Sequence, residues 1–165
     1  MGTVYVAQTK NTGKGLFAKT NIRKNEKIFV VKGKIIKEDM YYAGPYHKCG
    51  PRWLAIGRSK WVSPLRNNPW WFINHSCRPN AGLKGSVTVI AMRNITKGEQ
   101  ITIDYSITED DPYWKMECEC GNNDCRKIIR SIRFLPEKNF EKYKPFITKF
   151  LQKSYEQSRK IYSNQ

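Results

Sequence analysis

The sequence predicts a mostly β protein with one helical segment at its C-terminal end. Short runs rich in β-branched and aromatic residues recur along most of the chain, and glycine, proline and asparagine separate them, as in short strands joined by turns. Apolar residues recur at helical spacing only between residue 137 and about residue 162. These two observations together predict several small sheets followed by a helix.

The predicted strands occupy residues 4–7, 16–18, 27–31, 34–37, 53–56, 60–63, 86–91 and 99–104. The helical tail has one apolar stripe, which would pack on the rest of the protein and is made of Phe140, Tyr143, Ile147, Phe150 and Leu151. Pro145 lies inside this stripe and is expected to break or kink the helix, because proline lacks the N–H that a helix needs.

The length and composition are those of one domain without a membrane span. The chain has 165 residues, enough to bury a core without disulfides, and it lacks an apolar run of about 18 residues. Residues 1–10 lack the charged and apolar regions of a secretory signal. We therefore expect an intracellular protein, either cytoplasmic or, in a eukaryote, nuclear.

The charge is strongly positive and unevenly distributed. Lysine and arginine outnumber acidic residues by 30 to 14, and this net charge of +16 suggests contact with nucleic acid or another polyanion. Residues 104–119 are the exception, since this stretch holds six acidic residues and one lysine. A solvated basic surface without a partner is the alternative explanation of the excess.

Polar side chains are concentrated behind an aromatic cluster in the middle of the chain. The run FINHSCRPN at residues 72–80 places an amide, an imidazole, a hydroxyl and a thiol at four consecutive positions after Trp70 and Trp71. The apolar residues should bury this run, and buried polar groups need partners. The run is therefore either a well-satisfied turn of the core or part of a functional site.

A second cluster, CECGNNDC, follows at residues 118–125 and offers three soft metal ligands at C-x-C-x4-C spacing. Structural zinc is almost always tetrahedral, so a fourth ligand must come from elsewhere in the chain. Cys77 is the natural candidate, Cys49 competes with it, and His47 is a weaker candidate. A disulfide framework is disfavoured, because five cysteines is an odd number and no secretory signal precedes them.

Two further motifs accompany these clusters. The run QITID at residues 100–104 reads as a strand that ends at Tyr105, whose hydroxyl either faces a ligand or is tethered to a backbone group. The run TGKGL at residues 12–16 contains a Gly-x-Gly pair but lacks the full dinucleotide-binding fingerprint. This pair either lets the backbone approach a ligand closely or forms a hairpin turn.

In this order, the four motifs resemble those of the SET-domain protein lysine methyltransferases. That family carries G-x-G, the [FY]-[IV]-N-H-S-C-x-P-N run, a strand ending in D-Y, and a C-x-C-x4-C post-SET zinc segment; the resemblance covers roughly residues 2–130. It implies a fold of several small β-sheets with a pseudo-knotted C-terminal segment, a zinc lid and a C-terminal helix. The implied divisions are a SET domain at 1–110 with an insert at about 38–70, a post-SET segment at 111–130 and a helical tail at 131–165.

The resemblance also implies an activity and its site. The activity is methyl transfer from S-adenosylmethionine to lysine side chains of a basic protein, with a histone or another chromatin protein favoured. Tyr105 is the implied catalytic residue, and its hydroxyl would orient the amine. The implied cofactor contacts are Thr12, Lys14, Gly15, Leu16, Trp53, Asn74, His75, Tyr105 and Glu119. One structural zinc ion would be held by Cys77, Cys118, Cys120 and Cys125.

Three positions depart from the family pattern. Val31 stands where many members have a tyrosine, so a second active-site hydroxyl is either missing or supplied by Tyr41, Tyr42 or Tyr46. Trp71 stands where many members have an arginine before the FINHSC run. Ile103 replaces the usual phenylalanine or tyrosine two positions before Tyr105, and we expect the smaller side chain to permit more than one methyl addition.

Two expectations concern the substrate. The acidic run at Glu109, Asp110 and Asp111 is expected at the mouth of the lysine channel, where it would attract a basic segment. The basic remainder of the chain could hold the protein near nucleic acid. The alternative function, a non-catalytic SET-like module that binds a basic peptide, is disfavoured because Tyr105, the Asn74-His75 pair and the zinc thiols are all intact.

Overall fold

Small sheets make up most of the structure, as the sequence predicts. The computed structural model of the chain describes residues 2–10, 12–37 and 52–162. The strands are β1 (Val4–Gln8), β2 (Lys14–Ala18), β3 (Lys27–Val30), β4 (Gly33–Lys37), β5 (Leu54–Gly57), β6 (Lys60–Pro64), β7 (Asn74–His75), β8 (Ala81–Lys84), β9 (Thr88–Ala91), β10 (Gln100–Ile103), β11 (Lys115–Glu117) and β12 (Ile128–Arg130). The predicted mostly β fold is confirmed.

The strands form four sheets in the described part of the chain. A four-stranded sheet has the order β1-β2-β10-β7, two three-stranded sheets have the orders β3-β9-β8 and β4-β6-β5, and β11 pairs with β12. All pairs are antiparallel except β7 with β10, which run parallel. This parallel pair brings two of the sequence motifs side by side.

Each strand seen in the sequence appears within one or two residues of its predicted position, but four strands were missed. β7 has two residues, and β8, β11 and β12 lie in segments without clear apolar alternation. The strand β10 shows the expected alternation, because Ile101 and Ile103 are both fully buried. Strands this short depend on their tertiary neighbours, which local sequence does not reveal.

The C-terminal segment folds into two helices that belong to the main core. Helix α1 (Glu137–Tyr143) is followed by a 3-10 turn at Lys144–Phe146 and then by α2 (Lys149–Tyr162), so Pro145 interrupts the helix as predicted. The Phe140 and Tyr155 rings stack with centroids 3.7 Å apart and so join the two helices. Among the described residues, no helix is long and apolar enough to cross a membrane.

The chain after β7 lies beside the end of β10. The backbone N–H of Ser76 donates to the carbonyl of Ile103 at 3.1 Å, and the N–H of Asn80 donates to the carbonyl of Thr102 at 3.2 Å. The turn that follows Asn74 and His75 is therefore fixed against the strand that leads into Tyr105.

Candidate active site

The parallel pair β7–β10 organises the site. Asn74 is paired with Thr102 and His75 with Ile103, so the motif with the amide and imidazole lies directly beside the strand that ends at Tyr105. Asn74 is 8% exposed, and the His75 side chain is 4% exposed. Polar side chains buried to this degree need fixed partners.

Asn74 connects β7 to the Gly-x-Gly segment. Its amide nitrogen donates to the Thr12 hydroxyl at 3.0 Å and to the carbonyl of Lys14 at 3.2 Å. A Cβ atom on Gly15 would lie 2.7 Å from the Gln100 side chain and 3.3 Å from the Asn74 amide nitrogen. A larger residue at position 15 would therefore require the Thr9 and Gln100 side chains to move, and it would lie close to the Asn74 amide.

His75 is held as a neutral imidazole. Its Nδ1 atom accepts a hydrogen bond from the backbone N–H of Tyr105 at 3.1 Å, which assigns the ring proton to Nε2. The Nε2 atom lies 3.5 Å from the Cys77 sulfur. Burial lowers the pKa of His75 to about 4, against the opposing influence of the Asp104 carboxylate. One side chain thus contacts both the Tyr105 backbone and a thiol of the cysteine cluster.

The Tyr105 hydroxyl donates to the backbone carbonyl of Ile73 at 2.8 Å, so it is tethered to a backbone group. Its ring centroid lies 5.4 Å from that of His75. Burial raises the pKa of the Tyr105 phenol, while the nearby Arg52 guanidinium opposes the shift. The hydroxyl accordingly keeps its proton at neutral pH.

Arg52 is a candidate site residue that the sequence motifs do not include. Its Nη1 atom donates to the same Ile73 carbonyl at 3.4 Å, and its own carbonyl accepts a hydrogen bond from the Trp70 indole at 2.8 Å. Its backbone has a φ of +72°, a left-handed conformation that is costly for a residue other than glycine and that tends to persist at functional sites. The Gly50-Pro51 pair directly before Arg52 indicates a turn, but it does not predict a left-handed conformation for the arginine.

The four cysteines of the predicted zinc site lie together. The sulfur atoms of Cys77, Cys118, Cys120 and Cys125 all lie within 4.8 Å of one another. Cys77 and Cys118 have sulfurs 3.9 Å apart, close to the separation of about 3.8 Å that follows from tetrahedral zinc with bonds of about 2.3 Å. The donor set therefore fits a closed tetrahedral metal site. The competing candidates Cys49 and His47 lie outside the described residues.

Hydrogen-bond donors point at this thiol cluster. The backbone N–H of Arg126 donates to the Cys77 sulfur at 3.4 Å, and the Asn122 amide donates to the Cys120 sulfur at 3.1 Å. Donors of this kind stabilise thiolate ligands from outside the coordination shell. Burial raises the pKa of Cys118, whereas at Cys120 hydrogen bonds outweigh burial and lower the pKa to about 6. The donor set and these hydrogen bonds make the four cysteines a candidate metal site.

A cavity of about 240 Å³ lies between the Gly-x-Gly segment, β7 and the cysteine segment, and its lining includes Thr12, Asn74, His75 and Glu119. A second cavity of about 360 Å³ is also lined by Thr12 and has three basic residues, which are Lys14, Arg52 and Arg66. The structure thus brings most of the predicted cofactor residues to two adjacent cavities.

Four predicted cofactor residues do not line these cavities, and they are Gly15, Leu16, Trp53 and Tyr105. The Leu16 side chain is fully buried in the core, so its side chain faces other apolar residues. Trp53 packs against the core with its ring centroid 6.4 Å from that of Trp61.

The acidic run at residues 109–111 is not the exposed surface that we expected at the mouth of the channel. Glu109, Asp110 and Asp111 are 8%, 9% and 8% exposed. The Glu109 carboxylate accepts hydrogen bonds from the backbone N–H groups of the next two residues, and Asp110 pairs with Arg133 at 3.1 Å. These carboxylates have structural partners, which composition alone does not reveal. The candidate second hydroxyls, on Tyr41, Tyr42 and Tyr46, lie outside the described residues.

The sequence is similar to that of one known domain family. The family model described as the SET domain matches residues 13–106. Histone-lysine N-methyltransferase 2D of Homo sapiens is 30% identical over 138 residues, which cover 75% of this chain and 2% of that protein. The H3 lysine-36 specific histone-lysine N-methyltransferase of Candida albicans is 28% identical over 146 residues, which cover 76% of this chain and 16% of that protein. The chain thus spans a small fraction of these relatives' length.

Solved structures show the same architecture. The crystal structure of KRYPTONITE in complex with mCHG DNA and SAH has a TM-score of 0.59 at 20% identity, over 76% of this chain and 28% of that chain. A humanized mutant of the Chaetomium thermophilum Polycomb Repressive Complex 2 bound to the inhibitor GSK126 has a TM-score of 0.55 at 20% identity, over 67% and 16% of the two chains. Likeness at this level of identity is a likeness of fold.

Proposed function

The chain belongs to the SET-domain family, and we propose that it transfers methyl groups from S-adenosylmethionine to lysine side chains of a basic protein. The observation that carries this proposal is the junction at β7–β10, where Asn74 and His75 lie beside the strand that ends at Tyr105 and His75 contacts the cluster of four thiols. A histone or another chromatin protein is the favoured substrate class, because the relatives with similar sequences are named histone-lysine methyltransferases.

The two cavities suit the parts of this cofactor. When bound, S-adenosylmethionine would supply a methyl group on a sulfonium, which leaves as a neutral thioether as the new C–N bond forms. The cavity with Asn74, His75 and Glu119 offers amide, imidazole and carboxylate groups for the polar edges of the ligand. The basic residues of the other cavity, Lys14 and Arg52, would attract its carboxylate.

Tyr105 would act on the substrate amine. The amine must lose its proton before it can attack, and it must be held in line with the methyl group. Because the Tyr105 phenol stays protonated at neutral pH, its oxygen can accept a hydrogen bond from the amine while its O–H still donates to the Ile73 carbonyl. The amine is thereby oriented without a charged base beside it.

The zinc would be structural. Four protein thiols fill a tetrahedral shell and leave no position for water or substrate. The metal would instead hold residues 118–126 against the turn that contains Cys77, so that the cysteine segment forms one wall of the cofactor cavity.

The proposal is tested by incubating the protein with radiolabelled S-adenosylmethionine and histones, with Tyr105→Phe as the matched control. We expect label on lysine in the wild-type reaction and a loss of roughly 100-fold in the variant. Binding of S-adenosylhomocysteine without any label transfer by the wild-type protein would instead favour the non-catalytic binding module.

Cofactor placement has its own test. S-adenosylhomocysteine carries an amino-acid carboxylate, and methylthioadenosine lacks it. If Lys14 and Arg52 attract the carboxylate, Arg52→Gln should weaken binding of the first ligand about tenfold and leave binding of the second unchanged in calorimetry. Equal weakening of both would exclude this role.

A further inference from the structure

The side chain of Arg126, at the end of the cysteine segment, contacts residues on either side of Tyr105. Arg126 directly follows Cys125 in the sequence, and its backbone N–H donates to the Cys77 sulfur. Its guanidinium Nη2 atom lies 2.6 Å from both carboxylate oxygens of Asp104. Arg126 therefore links the thiol cluster to the residue immediately before Tyr105.

The same guanidinium also contacts the residue immediately after Tyr105. Its Nη1 atom donates to the Ser106 hydroxyl at 3.2 Å. The Asp104 carboxylate in turn accepts the Ser106 backbone N–H at 3.0 Å, which caps the 3-10 helix that begins at Tyr105. One arginine thus holds the side chains on both sides of Tyr105.

The environment of this pair differs from that of an ordinary surface ion pair. The Asp104 side chain is fully buried, and that of Arg126 is 16% exposed. Burial would lower the pKa of Arg126, but the Asp104 carboxylate outweighs it and raises that pKa. The pair Arg78–Asp124 in the same region has side chains that are 65% and 57% exposed, and pairs of that kind contribute little.

We propose that Arg126 is a positioning residue that fixes the backbone around Tyr105, so that folding of the metal segment sets the direction of the Tyr105 hydroxyl. Arg126 acts through Asp104 and Ser106 and does not itself meet the reacting groups. Residue 126 directly follows Cys125, whose sulfur lies in the cluster with that of Cys77, so the cluster and the Arg126 side chain are anchored together. The inference rests on the proposed methyl transfer, and it makes the metal segment and Tyr105 one functional unit.

The test is a double-mutant cycle between Arg126→Lys and Tyr105→Phe, with kcat, KM and zinc content measured for each protein. Lysine keeps the positive charge but lacks the fork that reaches Asp104 and Ser106 together. We expect Arg126→Lys to keep its zinc and to change KM by less than about threefold, while kcat falls about tenfold or more. Tyr105→Phe should then cost less than about tenfold in the Arg126→Lys background, because the hydroxyl is already misdirected.

Other outcomes overturn the inference. If the kcat losses of Arg126→Lys and Tyr105→Phe multiply in the double variant, Arg126 only stabilises the cysteine segment. Loss of zinc from Arg126→Lys would lead to the same conclusion. If Arg126→Lys does not fold, the double variant Asp104→Asn with Arg126→Gln removes both buried charges and enters the same cycle. The control Arg78→Gln, on the exposed pair, should leave kcat unchanged. Absence of turnover by the wild-type protein would overturn the proposed function as well, whereas multiplying losses in an active protein overturn the positioning role alone.

Discussion

The Tyr143 hydroxyl donates a hydrogen bond to the backbone carbonyl of Cys77 over 3.1 Å. Tyr143 is the last residue of α1 and is 2% exposed. Burial raises its pKa to about 12, so the phenol remains a donor throughout the neutral range. The C-terminal helices therefore support the turn that carries Asn74, His75 and Cys77 and are part of the site's framework.

Replacing Tyr143 with phenylalanine should destabilise the protein. The change keeps the buried ring but leaves the Cys77 carbonyl without this donor, which should cost about 1–2 kcal/mol in the free energy of unfolding. Urea unfolding followed by tryptophan fluorescence measures the loss. The control Tyr113→Phe, at a residue that is 70% exposed, should change nothing, and equal effects of the two substitutions would contradict the argument.

Removing the metal should unfold the cysteine segment. Because the four thiols are held close together, chelation should release about one zinc per chain and leave mutually repelling thiolates or unpaired thiols. Near-ultraviolet circular dichroism should report the change through Trp114, which packs against the thiol cluster. Cys120→Ser should lower zinc content, whereas Cys49→Ser should not, and the reverse result would make Cys49 the ligand.

The prediction from Ile103 concerns the number of methyl groups added to one lysine, and the wild-type protein is the better subject for its test. The residue is fully buried in the main core, so Ile103→Tyr would overpack the core at a cost of about 1–3 kcal/mol in addition to any effect on the product. We expect wild-type protein to add more than one methyl group, as judged by mass spectrometry of a peptide at long reaction times. A product that stops at monomethyl-lysine would contradict the expectation.

The sequence predicted which motifs belong together, but it could not predict the tertiary contacts that hold them in place. The strands around Leu16 and Ile101 and the break at Pro145 follow from local patterns, because alternation and proline act on neighbouring residues. Arg126 and Asp104, by contrast, are separated by 22 positions and contact each other only through the tertiary fold. Local sequence reveals charge and does not reveal partners.

The acidic run shows the same limit. Composition indicates a cluster of negative charge at residues 104–119, and exposure was the simplest expectation. In the structure, Glu109 is instead buried, and its carboxylate accepts hydrogen bonds from the backbone N–H groups of the next two residues. Burial is a tertiary property, so charge in the sequence alone does not reveal whether these carboxylates are exposed.

Stability should fall as the pH rises because of Glu109. Burial raises its pKa from 4.5 to about 7, and the carboxylates of Asp110 and Asp111 add to the shift. Between about pH 4.5 and pH 7, the folded protein therefore holds a proton that the unfolded chain has lost, and stability falls with pH by at most about 3 kcal/mol before levelling off.

Glu109→Gln tests this pH dependence. A glutamine oxygen can still accept the two backbone N–H groups, but it does not titrate, so the decline in unfolding free energy between pH 5 and pH 8 should flatten. The unfolding free energies of the variant and the wild-type protein are compared by urea unfolding at about pH 5, 6.5 and 8. Parallel curves for the variant and the wild-type protein would assign the decline to other groups.

The basic surface of the C-terminal helices should contact nucleic acid. Lys149 and Lys153 are exposed one turn apart on α2, and Lys149 shares a cavity of about 460 Å³ with Lys84 from the end of β8. Neutralising Lys84, Lys149 and Lys153 with glutamine should weaken duplex DNA binding and flatten its salt dependence, because each lost phosphate contact removes about 0.9 from the slope of log K against log salt. The matched control changes the exposed Lys19, Lys24 and Lys27, which lie between the end of β2 and the start of β3, to glutamine and carries the same net charge. If the two triple variants lose the same slope, the excess positive charge is an unspecific property of the whole surface.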